Sequence, residues 1–254
     1  MNIGLVLSGG GARGAAHIGV IKALEEEGIY PTHISGASAG AIVGGLYAAG
    51  ISWSEILDFF KTITIFSTYR YARKKPGFLN SVNFYDDLKA FFPKDNFDIL
   101  SKPLFVTAAN IVKGTCKIFS EGELIKPIIA SASFPGVFTP TEIEGEYYVD
   151  GGTLNNFPTE PLIPICDKII GVNVSPLKNV TIKDLKNTYS IVERAYKIKL
   201  AGETINKFSD CDLLINPQEL VKYGTFNMNS IDNIFNIGYT NAKVVLQKSK
   251  IEFN

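Results

Sequence analysis

Histidine is almost missing from this chain: there are only two in 254 residues, His17 and His33. Both precede the serine of Gly36-Ala37-Ser38-Ala39-Gly40, a G-x-S-x-G spacing. An α/β-hydrolase triad runs nucleophile, acid, then histidine along the chain, and that order cannot be built here. Cysteine is also scarce. Cys116, Cys166 and Cys211 are odd in number and far apart, without a C-x-x-C or Cys/His spacing, which points to neither a disulfide framework nor a zinc site. The expectation is no metal. Charge of one sign is not in excess, with 25 basic and 25 acidic residues, so no long-range field favours nucleic acid as a partner. No stretch approaches the roughly 18 uninterrupted apolar residues of a membrane span. The N-terminus passes from Ile3-Gly4-Leu5-Val6-Leu7 straight into glycines, without the charged start of a cleaved leader. The expected location is cytoplasmic, with peripheral membrane attachment at most.

What is present suits one globular domain over residues 1–254: 46% hydrophobic and 20% charged residues, with no repeat and no linker. Residues 2–7 read as a buried strand. A helix is expected from Ala12 to Glu27, stopped by Gly28, and a second strand over His33 to Ser35. A small-residue helix follows Ser38. Further strands are expected at 104–109, 116–119, 146–149, 168–174 and 212–216, with helices at 54–60, 124–132, 190–207 and 230–250. Strands alternating with helices imply an α/β fold with a mainly parallel sheet covered on both faces.

Two glycine-rich loops carry the chemistry. Gly9-x-Gly11-x-x-Gly14, after a strand and before a helix, satisfies the dinucleotide fingerprint, but that reading needs an acidic residue about 20 positions on. The second strand ends in Ser35-Gly36-Ala37-Ser38 instead. The loop reads better as an anion cradle, in which backbone N–H groups converge and the following helix adds its positive end. An ester carbonyl becomes an oxyanion in its tetrahedral intermediate, so such a loop is a ready oxyanion hole. Arg13 in the first helical turn opposes the macrodipole, which indicates a nearby anion or a structural partner. Ser38 sits between a strand and a helix, the setting of a nucleophile elbow, where Gly36 and Gly40 permit the sharp turn.

The base for Ser38 has two candidates. His17 lies on the helix after the glycine loop, although a lone helical histidine is more often a packing residue. Asp150 is the stronger candidate, because it ends an apolar strand and Gly151 and Gly152 free the backbone beside it. A carboxylate of ordinary pKa, about 3.9, is a weak base, and desolvation would strengthen it.

These residues resemble the patatin-like phospholipase family. Ser8-Gly9-Gly10-Gly11-Ala12-Arg13-Gly14 is similar to its glycine-rich loop and Gly36-Ala37-Ser38-Ala39-Gly40 to its elbow. Residues 131–140, Ser-Ala-Ser-Phe-Pro-Gly-Val-Phe-Thr-Pro, resemble the block before the aspartate, and Asp150-Gly151-Gly152 with Asn156 and Pro158 resembles the final motif. The resemblance covers about residues 3–175. It implies a three-layer α/β/α sandwich, Ser38 as nucleophile and Asp150 as its base. It also implies an oxyanion site within Gly9, Gly10, Gly11, Ala12, Arg13 and Gly14 together with Ala39, and no cofactor. The implied activity is hydrolysis of acyl esters of phospholipids, lysophospholipids or related lipids through an acyl-serine. A non-catalytic lipid-binding protein of the same fold and a nucleotide-dependent oxidoreductase are the alternatives.

Between residues 61 and 92 aromatic and basic residues interleave: Tyr69, Arg70, Tyr71, Arg73, Lys74, Lys75 and Phe78. Such a segment could cover the site and meet lipid headgroups, or equally pack its aromatics inward.

Overall fold

The apolar run Ile3–Leu7 forms β1, buried along its whole length. It pairs in parallel with β2 (His33–Ala37) on one side and β7 (Lys168–Val172) on the other. The structure is a computed structural model that describes residues 1–63 and 79–249, with Ile251 and Phe253. The interleaved residues Tyr69 to Phe78 lie outside the described residues.

The hydrogen-bonded order of the sheet is β5-β6-β3-β2-β1-β7-β8, and β4 also pairs with β3. Here β3 is Leu104–Asn110, β4 Thr115–Phe119, β5 Thr141–Ile143, β6 Glu146–Asp150 and β8 Leu213–Ile215. The ladders joining β3, β2, β1, β7 and β8 are parallel; those of β4, β5 and β6 are antiparallel. The parallel sheet expected from the alternation is therefore its centre, and an antiparallel group closes one end. Strand β5 was not anticipated, being only three residues long. Strand order reverses at β1, so the loops leaving the carboxyl ends of β1, β2 and β7 open onto one crevice, where open α/β sheets bind ligands.

The registers on β3 set the geometry of that crevice. Val106 and Thr107 pair with both β2 and β4, which therefore lie on opposite edges. Residues Ala108 to Asn110 pair with both β4 and β6, so β6 lies on the edge that β2 occupies. The two strands approach from opposite directions. Ala37, the last residue of β2, faces Thr107, and Asp150, the last of β6, faces Ala108.

One sheet face is covered by helices. The glycine loop passes through a 3-10 turn, Gly11–Gly14, into α1 (Ala15–Glu26). Both α2 (Ala39–Ala48) and α5 (Ile125–Ser131) join the same large core as α1, with the capped α3 (Trp53–Thr62) and the short α4 (Tyr85–Lys89) beyond. The opposite face carries a smaller cluster, Val6, Phe157, Leu162 and Ile169. Much of it is supplied by the non-helical chain around residues 157–166, and the expected α/β fold with a mainly parallel sheet is the one observed. The long α6 (Thr188–Asn206) begins at an Asn187–Ser190 capping box. No described helix is long and apolar enough to cross a membrane.

The last helix, α7 (Ile231–Lys248), packs on α1 through reciprocal glycines. A side chain at Gly19 would strike the Phe235 carbonyl, and one at Gly238 the backbone of Ala16. Backbone cannot yield as a side chain tip can, so the cost of overpacking, about 1 to 3 kcal/mol, outweighs the roughly 1 kcal/mol that alanine gains over glycine in a helix. We expect Gly238→Ala to lower unfolding free energy in urea. Gly202→Ala, on α6 with nothing near its Cβ, should leave it unchanged or raise it.

Candidate active site

The chain leaves β2 at Ser38 with φ 53° and ψ −124°. A non-glycine residue held there costs about 1 to 3 kcal/mol and persists only where its surroundings dictate it. They do so through hydrogen bonds. The Ser38 N–H donates to Ser131 Oγ at 2.8 Å, and Ser131 donates in turn to the Thr107 carbonyl at 2.6 Å. The Ser38 carbonyl accepts from the N–H groups of Ala41 and Ile42 at the start of α2. Gly36 and Gly40 allow the turn to close, since a Cβ on Gly40 would meet the Leu7 carbonyl and one on Gly36 the Gly40 backbone.

Ser38 Oγ donates to Asp150 Oδ2 at 2.6 Å. The other oxygen, Oδ1, accepts from the Gly152 N–H at 2.7 Å, which fixes the carboxylate plane. Gly151 presses on the Thr107 carbonyl and leaves no room for a side chain. Both Ser38 and Asp150 are buried. Burial pushes the Asp150 carboxyl up to about 6, against the lowering effect of the bonds from Ser38 and Gly152. It is ionised at neutral pH and basic enough to take a proton.

The glycine loop turns its carbonyls away from this pair. Ser8 Oγ and Ser175 Oγ both donate to the Gly9 carbonyl, the latter at 2.6 Å. The Arg13 side chain and the Arg13 N–H donate to the Gly10 carbonyl. In a trans peptide the C=O and the next N–H point in opposite directions, so the Gly10 and Gly11 N–H groups face away from those partners. Among the described residues neither makes a hydrogen bond, nor does the Ala39 N–H at the start of α2.

Other expectations need correction. The Gly9 N–H goes to the Asn156 carbonyl, the Ala12 N–H to the Thr225 carbonyl and the Arg13 N–H to Gly10. These three donors are thus spent on holding the loop, while Gly14 lies inside the 3-10 turn, packed against Ala39. Arg13 is buried and hydrogen-bonded to the Gly10 carbonyl and the Ser175 hydroxyl, and burial draws its guanidinium down to about 10 against the opposing charge of Glu193. It remains charged and works as a brace. His17 is occupied elsewhere: its Nε2 lies 2.8 Å from the Ser8 carbonyl. Burial pushes its pKa down to about 4, so it stays neutral near pH 7.

A cavity of about 370 Å³ opens over Ser38 and Asp150. One wall is apolar and includes Ile42, Phe59, Phe60, Leu88, Ile129 and Phe138; the other carries Glu193, Arg194 and Lys197 of α6. The site therefore reaches beyond the span 3–175. Ser175, Thr225 and the α6 residues carry no sequence signature, because their roles depend on where the chain returns to the sheet. Ser131 stood inside the quoted block, but its bond to the elbow spans 93 positions.

The model of the patatin-like phospholipase family matches residues 5–163. The chain belongs to that family. An uncharacterised NTE family protein of Mycobacterium tuberculosis is 34% identical over 177 residues, covering 68% of this chain and 49% of that protein. A lysophospholipase nte1 of Emericella nidulans is 27% identical over 283 residues, 98% of this chain and 18% of that one. The chain thus spans about half the length of the mycobacterial relative and far less of the fungal one. Among solved structures, VipD from Legionella pneumophila superposes with a TM-score of 0.64 at 18% identity, covering 97% of this chain and 67% of that one. That likeness is one of fold.

Burial of Asp150 has a stability consequence whose sign is fixed. Its folded pKa of about 6 stands above the ordinary 3.8, so the folded state binds the extra proton between those values. Stability from this group therefore falls as pH rises through that window, by on the order of 3 kcal/mol. Asparagine has the same shape, can keep the Gly152 bond and never ionises. We expect Asp150→Asn to be more stable than the parent at neutral pH in urea titration, with the gain shrinking toward pH 4.

Proposed function

We propose that this chain is a serine acyl hydrolase that cleaves fatty-acyl esters of phospholipids, lysophospholipids or related lipids with a Ser38–Asp150 dyad. The observation that carries the reading is the 2.6 Å bond from Ser38 Oγ to a buried carboxylate raised to about 6, at the floor of a largely apolar cavity. Family membership and the lysophospholipase name of the fungal relative support the substrate class.

In this mechanism Ser38 Oγ attacks the ester carbonyl as its proton passes to Asp150 Oδ2. The carbonyl oxygen becomes an oxyanion and takes hydrogen bonds from the Gly10 and Gly11 N–H groups, with Ala39 as a third donor. A donor aimed at developing charge is worth about 3 to 4 kcal/mol. Collapse breaks the bond to the alcohol, which leaves with the proton from Asp150, and the acyl group stays on Ser38. Water then attacks the acyl-serine, giving its proton to Asp150, and the second tetrahedral species releases the fatty acid and restores Ser38. The apolar wall would hold the acyl chain, as hydrocarbon burial is worth about 0.8 kcal/mol per methylene.

A fluorophosphonate probe should label the parent at Ser38, and Ser38→Ala should not label. Absence of labelling in folded parent protein would overturn the reading. Since the ionised carboxylate is the base, kcat/KM on a soluble p-nitrophenyl ester should rise with pH through about 6 and fall about tenfold per unit below it. A profile flat from pH 5 to 8 in the parent would remove Asp150 as the base.

A further inference from the structure

Helix α6 lines the cavity with one side and leaves an apolar stripe on the other. Tyr196, Leu200, Ala201 and Thr204 face the cavity. Outward stand Ile191, Val192, Ile198 and Ile205, which are 52%, 62%, 50% and 57% exposed. Ala195 and Gly202 fall between them on the same face and are also exposed. Positions 191, 195, 198, 202 and 205 are spaced four and three apart, so the stripe runs straight along the helix. Ahead of α6, Ile182 is 81% exposed, while Leu177 is partly exposed at the cavity lining. Six of the fourteen large hydrophobic side chains that stand exposed among the described residues thus fall within residues 177–207.

Charge concentrates in the same stretch. Residues 177–207 hold seven lysine and arginine residues against three acids, in a chain whose charges balance overall. Lys197 and Lys199 pair with Glu193 and Glu203 along the helix, and Lys207 with Glu160. Lys178, Lys183 and Lys186 have no ion pair among the described residues. All of this lies outside the residues 5–163 that the family model matches.

We infer that this face docks on an anionic lipid surface, with the isoleucine stripe entering the interfacial layer and the lysines meeting lipid phosphates. A helix with an apolar face flanked by cations binds in the plane of a membrane by that combination. A second copy of the chain is the other natural occupant of such a stripe, but a two-fold contact over α6 would oppose two segments of the same net positive charge. Continuity with the cavity favours lipid as well, since an acyl chain leaving the bilayer beside α6 has only the helix to pass. This surface goes beyond the hydrolase reading and depends on it only for that last point.

Sedimentation with vesicles tests the surface apart from catalysis, using Ser38→Ala protein throughout. The probe is phosphatidylcholine vesicles with and without phosphatidylglycerol. Binding to the mixed vesicles is expected, with a weaker response to pure phosphatidylcholine. The combined Ile191→Ser, Ile198→Ser, Ile205→Ser variant should lose about tenfold or more in affinity. Lys183→Gln with Lys186→Gln should weaken binding to the mixed vesicles and remove their advantage. None of these five residues lines the cavity, so in otherwise unaltered protein both sets should turn over a monomeric p-nitrophenyl ester at the parental rate. That control also reports folding. Failure of the Ser38→Ala protein to sediment, or equal sedimentation of the isoleucine variant, would overturn the inference. So would a parental dimer that the isoleucine variant converts to monomer, because the stripe would then be covered by a second copy.

Discussion

Two strands claim one edge of β3. Strand β2 holds it as far as Thr107 and β6 holds it from Ala108 onward, so the next place in the β2 register is filled by Asp150. The chain cannot continue straight past Ala37. It must leave the sheet at Ser38, and the positive φ of that residue follows from the blocked path. The same blockage sets Ser38 and Asp150 side by side, because adjacent β3 residues are only about 3.4 Å apart along the strand. Strain at the elbow and proximity of the carboxylate are therefore one constraint seen from two strands. Ser131 ties them together by bonding both the Ser38 N–H and the Thr107 carbonyl at the point where the strands meet.

The glycine loop obeys a complementary rule. A donor pair is useful to an anion only if it is kept from other acceptors, and a flexible loop would readily satisfy its own N–H groups. Here the carbonyls are captured instead: Gly9 by Ser8 and Ser175, Gly10 by Arg13. Planarity of the peptides then leaves the Gly10 and Gly11 N–H groups without partners. The first-turn position of Arg13 pointed to a nearby anion or a structural partner, and both are present: its side chain holds the Gly10 carbonyl and the Glu193 carboxylate acts on its charge. Its structural work is to hold one carbonyl, which explains why a cation is tolerated at the wrong end of a helix dipole.

Local signals were readable wherever the needed residue types stand close together. The strand ending at Leu7, the elbow around Ser38 and the Asp150-Gly151-Gly152 turn all announce themselves by glycines placed next to chemistry. Helix α1 ends where Gly28 takes a positive φ, as its spacing requires. Three things were not readable, each for a physical reason. Strand β5 is too short for alternation to register. The shared edge of β3 is a pairing choice, and pairing leaves no periodicity in either strand. Ser131 and Ser175 act through hydroxyl bonds to backbone far away in the chain, which any serine or threonine in the right place could make, and Thr225 acts through its backbone carbonyl, which any residue type supplies. Helix α6 was foreseen over 190–207, but a helical pattern alone does not show that Ile191, Val192, Ile198 and Ile205 stand exposed.

That outward face and the chemistry beneath it are linked through the dielectric. The proposed role of Asp150 as base rests on the burial that raises it to about 6, and α6 contributes to that burial. Tyr196 stands edge-on to Phe134 at 5.4 Å, and its hydroxyl lies 3.3 Å from Thr153, just past the Asp150 turn. Burial and the Asp150 charge together push the Tyr196 hydroxyl upward, a sign that the two groups share one poorly solvated environment. If α6 swung clear to admit a lipid, water would reach the carboxylate and its pKa would relax toward 3.8, weakening the base. A helix that both meets the bilayer and shields the dyad must therefore dock while seated. The acyl chain would then enter past its edge, and the site would stay dry while the ester is cleaved.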